Sequence, residues 1–88
     1  MVNEKRLFIA SSEIFSDYQL EISLFNVSTL EDIINLFILS LKERLEELNL
    51  TNLIKKLSES NFHIHSHTIE DILTSEDDSI FYICDHQD

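Results

Sequence analysis

The chain contains neither glycine nor proline, where average usage of roughly 7% and 5% would place about ten such residues in this length. Its turns must therefore be made by Asn, Asp and Ser. Without glycine there is neither a dinucleotide fingerprint nor a P-loop, because both need it where backbone closes on phosphate; nucleotide chemistry of those two types is excluded. Cysteine occurs once, at Cys84, so no intrachain disulfide can form. The opening MVNEKRLFIA lacks the long apolar stretch of a signal peptide. The longest uncharged apolar stretch, Ile33 to Leu41, is interrupted by Asn35 and Ser40 and falls far short of the ~20 residues a membrane span needs. These absences lead to the expectation of a reducing, cytoplasmic setting and no membrane partner.

Positive charge is scarce as well. Six basic residues stand against seventeen acidic ones, for a net charge of −11, which repels a phosphate backbone and an anionic membrane surface alike. Nucleic acid is not an expected partner. From Leu57 to Asp88 there is no Lys or Arg at all, so that end should present a negative surface.

What is present is a clear sequence of periodicities. Eighty-eight residues suit one domain with one core of modest stability. Lys5 to Ala10 reads as a strand entering a polar turn that includes Ser16 and Asp17. Tyr18, Leu20, Ile22 and Leu24 then alternate with Gln19, Glu21 and Ser23, a period of two that places one face on a core. The two segments are expected to pair as an antiparallel hairpin. Ser28-Thr29-Leu30-Glu31 fits a capping box with Ser28 as the cap. Leu30, Ile33, Ile34, Phe37, Leu41, Leu45 and Leu48 follow at helical spacing and form one stripe, with Asn49 as the stop. Thr51 to Leu57 reads as a second short helix with Leu53, Ile54 and Leu57 inward. Phe62 to His65 alternates as a third strand, Thr68 to Ile72 looks like a single helical turn, and Ile80 to Cys84 is a fourth strand. The order β-β-α-(α)-β-β is an α+β arrangement.

Leu20-Glu21-Ile22-Ser23-Leu24 running into Ser28-Thr29-Leu30-Glu31-Asp32-Ile33, and the ending Ile69-Glu70-Asp71-Ile72 followed by Asp77-Asp78-Ser79-Ile80-Phe81-Tyr82-Ile83, resemble the ubiquitin superfamily over nearly the whole chain. The ending is similar to the closing segment of doublecortin-type and potassium-channel KHA-type domains. The hairpin, with Glu13-Ile14-Phe15, is similar to the N-terminal domain of kinetoplastid flagellar-pocket scaffold proteins. The resemblance implies a ubiquitin-like β-grasp: a four-stranded mixed sheet packed on one long helix plus a short second helix. It also implies a single domain over 1–88 that serves as the N-terminal module of a larger cytoplasmic, cytoskeleton-associated scaffold. Two departures limit it. The chain ends Asp85-His86-Gln87-Asp88 without the Gly-Gly that conjugation needs, and its acidity is opposite to the basic surface with which doublecortin domains meet microtubules. The expected function is a non-catalytic protein-protein interaction module with no cofactor.

Within that frame the outer sheet face is the expected docking surface. If Phe62 and Ile64 point at the helix, His63 and His65 point away. The phase of the last strand in ubiquitin-like folds then puts Phe81 and Ile83 outward, with Phe8 beside them. An apolar patch of Phe8, His63, His65, Phe81 and Ile83 with polar rims marks a protein contact. The opposite phase would bury Phe81 and Ile83 and expose Ile80, Tyr82 and Cys84. The alternative function is a small metal-binding domain using the row His63, His65 and His67. Alternate strand residues share a face at about 6 to 7 Å, but three ligands must converge on one ion, so the row would have to bend or draw on Cys84, Asp85 or His86. Cys84 lies in no nucleophile motif, and Ser75-Glu76-Asp77-Asp78 reads as a solvated turn. Leu36 and Leu39 lie outside the helical stripe, to be covered by Leu50, Leu53 and Leu57 or left as an exposed seam. The second strand is an expected sheet edge whose only charged interior residue is Glu21. Two copies could pair there as a weak homodimer once salt screens their charge.

Overall fold

In the computed structural model, which describes residues 5–15, 18–65 and 67–85, the period-two segments form the expected hairpin. Strand β1 (Lys5–Ser11) pairs antiparallel with β2 (Gln19–Ser23), with Arg6 opposite Ile22 and Phe8 opposite Leu20. Leu20 and Ile22 are buried while Gln19 and Glu21 are exposed, as alternation of side chains along a strand requires. The Ser16-Asp17 part of the expected turn and the tail from His86 lie outside the described residues.

Helix α1 (Leu30–Glu47) begins one residue later than its capping pattern suggested. Thr29, not Ser28, is the cap: its Oγ1 accepts from the Asp32 amide at 3.1 Å, and the Asp32 carboxylate accepts from the amides of Thr29 at 3.1 Å and Ser28 at 2.9 Å. Both Ser-x-x-Glu and the overlapping Thr-x-x-Asp have the right spacing. The second satisfies three otherwise unpaired backbone donors with two side chains. Ile33, Phe37, Leu41 and Leu45 form the buried stripe, with Leu30 and Ile34 partly buried, whereas Leu48 is exposed. The stripe stops early because the helix does. Asn49 takes φ 58°, its amide bonds the Glu46 carbonyl at 3.1 Å, and the Leu50 amide bonds the Leu45 carbonyl at 3.0 Å. This is the Schellman arrangement in which glycine is usual. Asn26, following the hairpin, takes φ 63° in the same way. A chain without glycine thus places asparagine, the residue next best suited to the left-handed region, at both positions.

Three shorter elements and one long strand complete the fold: α2 (Thr51–Glu59), β3 (Phe62–His63), α3 (Ile69–Leu73) and β4 (Ile80–Asp85). The strand order is β2-β1-β4-β3, with β1 and β4 parallel at the centre and β3 antiparallel to β4. The described residues therefore make an α+β fold with a four-stranded mixed sheet and three helices. Strand β3 is shorter than expected. The Asn61 amide bonds the Asp85 carboxylate at 3.0 Å where it begins, but the ladder stops after His63 opposite Cys84, although Ile64 is still buried.

The last strand takes the opposite phase to the one expected. Phe8 and Ile83 are 0% exposed and Phe81 is 5% exposed; all three belong to the core, not to an outer patch. Parallel pairing sets Phe8 beside Phe81, their rings stacked with centroids 5.6 Å apart. Further aromatic contacts fill the space beneath the helix, with Phe37 at 5.8 Å and Phe15 at 6.0 Å from Phe62. Both sides of β4 are apolar, so alternation alone could not choose between them. Facing outward keeps the Tyr82 hydroxyl hydrated, while Ile83 has no polar atom to lose by burial.

Capping supplies a direct test. Thr29→Ala should lower the unfolding free energy by about 1 kcal/mol, and Ser28→Ala should change it far less, as measured by urea denaturation. The bonds from the Ser28 and then the Thr29 amide hold the Asp32 carboxyl below the usual carboxylate range. Because the folded-state pKa is the lower one, the carboxylate's stabilising contribution is complete above its unfolded value and is lost as pH falls through the folded value. Asp32→Asn should accordingly flatten that acidic limb of the stability profile.

Candidate functional site

The face of the sheet opposite the Phe8–Phe81 core is apolar along its two central strands. Leu7 lies beside Ile80 and Ile9 beside Tyr82 in the parallel register. Leu7 and Ile9 are half-buried, whereas Ile80 is 50% and Tyr82 57% exposed. The patch is flanked on the β2 side by Gln19 and Glu21, both exposed, which pair with Ile9 and Leu7. On the other side lie Cys84 and, opposite it, His63, both half-buried. Beyond Tyr82 a shallow groove is lined by Ile9, Ser11, Ser12 and Glu13. The patch is thus a row of aliphatic side chains and one tyrosine with acidic and polar margins.

A buried cation holds the end of this face in place. Arg6 is 2% exposed. Its Nε donates to the Ser75 hydroxyl at 2.7 Å, Nη1 to the Lys5 carbonyl at 3.1 Å and the Asp77 carboxylate at 3.2 Å, and Nη2 to the Ser75 carbonyl. The Leu7 amide adds a bond to the Ser79 carbonyl at 3.4 Å. The segment after α3 is thereby tied to the start of β1, so that Ile80 enters the sheet beside Leu7. The Asp77 side chain is 80% exposed, so its Coulomb attraction is screened by water. The bonds to Ser75 matter more, because an unsatisfied buried guanidinium nitrogen bears the whole desolvation penalty. Sequence reading missed this role by treating Arg6 only as part of the strand from Lys5 to Ala10. The signal was its phase: Arg6, Phe8 and Ala10 share the inward side.

Of the residues expected to form the patch, only His63 and His65 lie outside the core. Their Nε2 atoms are 2.7 Å apart and their rings nearly perpendicular at 82°. His67 does not continue the row. Its ring packs edge-on against Phe81 at 4.9 Å, because the chain has already left the strand on its way to the Thr68 cap of α3. Among the described residues no group of three or more His, Cys, Asp or Glu could hold a metal ion. On α1, Leu36 and Leu39 stay exposed, Leu39 at 55%: Leu57 of α2 is buried in the core and Leu50, Leu53 and Ile54 pack against it, so they do not cover these two leucines.

Comparison with protein-family models, curated proteins and solved structures found no match to this chain. Among the described residues no helix is long and apolar enough to cross a membrane.

The Arg6 anchor is tested by stability. Ser75→Ala should cost about 1–3 kcal/mol by stranding the Nε donor, whereas Asp77→Ala should cost less than about 1 kcal/mol. A larger loss in Asp77→Ala than in Ser75→Ala in urea titrations would show that the ion pair, not the serine, holds the segment.

Proposed function

We propose that this chain is a ubiquitin-like β-grasp module whose function is non-catalytic protein docking within an intracellular scaffold, and that the Leu7, Ile9, Ile80, Tyr82 face is its contact surface. The carrying observation is the exposure of Ile80 and Tyr82 on a central strand. Water-exposed apolar side chains in a row are stabilised when a partner covers them. The β-grasp reading is supported by the central parallel pair formed by the first and last strands and by the long helix buried against one face of the sheet. His63 and His65 remain at the rim of the surface, while Phe8, Phe81 and Ile83 act from beneath it as core.

The partner's chemistry follows from charge. A domain of net charge −11, with Glu21 and Glu13 exposed near the patch, favours a protein segment with an apolar anchor flanked by Lys or Arg, and complementary charge speeds its arrival. A tyrosine at the centre of such a contact is a frequent energetic hot spot.

Photo-crosslinking tests the surface. With a benzophenone amino acid at position 82 and, separately, at position 36 on α1, adducts with a basic partner should form from position 82 and disappear in Ile80→Glu. That substitution should leave circular dichroism unchanged and weaken the isolated complex by more than about tenfold, or ~1.4 kcal/mol. Adducts from position 36 alone would move the site to the exposed helix leucines. An adduct of twice the chain's mass would identify the partner as a second copy. Strand β2, which ends the sheet among the described residues, provides a route to that second copy, opposed by charge at low ionic strength. Sedimentation velocity should find a monomer in low salt and a weak dimer as salt rises; a tight dimer indifferent to salt would place the contact elsewhere.

A further inference from the structure

Ile64 is buried, whereas His63 on one side of it is half-buried and His65 on the other is exposed. The Nε2 atoms of His63 and His65 meet at 2.7 Å. Two neutral imidazole nitrogens can approach this closely only with a proton between them, one donating and the other accepting. Once that proton leaves, a metal ion seated to one side of the line between the nitrogens can take both lone pairs, the rings turning toward it. We propose that His63 and His65 form a two-histidine chelate for a divalent transition-metal ion of the Cu2+, Ni2+ and Zn2+ class.

The spacing decides among ions. With metal–nitrogen bonds of about 2.0–2.1 Å, two ligands at a right angle lie about 2.8–3.0 Å apart, and two at the tetrahedral angle about 3.3–3.4 Å apart. The observed 2.7 Å is close to the right-angle value of square or octahedral coordination, which Cu2+ and Ni2+ prefer. Tetrahedral Zn2+ requires the nitrogens to separate by about 0.6 Å, which side-chain rotation at the exposed His65 can supply. Affinity should therefore follow Cu2+ over Ni2+ and Zn2+, in line with the general order for nitrogen sites. Mg2+ and Ca2+ demand oxygen ligands and are not held. His63 is fixed by its ladder position opposite Cys84, so one ligand is preorganised. Among the described residues no third His, Cys, Asp or Glu joins them in a metal-holding group. The chain's charge of −11 raises the local concentration of any cation.

Isothermal titration of the untagged chain with CuCl2, NiCl2, ZnCl2 and MgCl2 tests the site, with two-dimensional amide NMR locating it. One equivalent of Cu2+ should bind and first broaden the signals of residues 62–65 and of Cys84 and Asp85, with Mg2+ inert. Changes one shell away from a metal already cost about ten- to a hundredfold in affinity, so losing a ligand in His63→Ala or His65→Ala should weaken Cu2+ binding by more than about tenfold. His67→Ala should leave it unaltered. His65 is exposed, so its variant keeps the fold, and its amide spectrum verifies this. No saturable Cu2+ binding, wild-type affinity in His65→Ala, or broadening centred away from residues 62–65 would each overturn the proposal.

Discussion

The parallel pairing of β1 with β4 at the centre of the sheet is the constraint on which the rest of this structure depends. It joins residues more than seventy positions apart, Phe8 with Phe81, and so closes a loop containing nearly the whole chain. Loop-closure entropy opposes such a contact. Burying two stacked phenylalanines together with Ile83 and the α1 stripe offsets it, each large apolar side chain contributing about 1.5–3 kcal/mol relative to exposure. Once Phe8 and Phe81 face inward, the pleat leaves no freedom for their neighbours. Leu7, Ile9, Ile80 and Tyr82 must lie on the other side. The apolar outer surface is thus a geometric consequence of how the core is filled.

Arg6 marks where that packing ends. It follows the inward phase of Phe8 and Ala10, yet its guanidinium cannot be left unsatisfied out of water. The segment after α3 supplies a hydroxyl, a carbonyl and a carboxylate to it. This polar closure sets where β4 begins and hence which residue of that strand lies next to Leu7. Core polarity and surface composition are linked through a single side chain.

Much of the architecture was legible in the sequence. The hairpin came from strict alternation between Tyr18 and Leu24, the long helix from the spacing of Ile33, Phe37, Leu41 and Leu45, and its end from Asn49, whose left-handed backbone takes the place of the missing glycine. The cap was misplaced by one residue because Ser28-x-x-Glu31 and Thr29-x-x-Asp32 overlap, and only the carboxylate's reach to two amides separates them. The histidine row was read as straight because spacing carries no information on where a ladder stops; His67 instead turns onto Phe81.

By itself the sequence determined the α+β order of elements, the absence of glycine-dependent phosphate sites, the acidic character of the surface and the face of α1 that is buried, since each of these rests on local periodicity or composition. Only the tertiary structure decided the phase of β4. Ile80, Phe81, Tyr82 and Ile83 are apolar on both sides of the strand, so alternation carries no polarity signal there. The choice was made by distant partners: β1 aligning Phe8 with Phe81, the helix covering that side, and Arg6 holding the preceding segment. A strand with two apolar faces takes its orientation from the residues packed against it, and for that reason the outer patch of this protein is built from Ile80 and Tyr82 and not from Phe81 and Ile83.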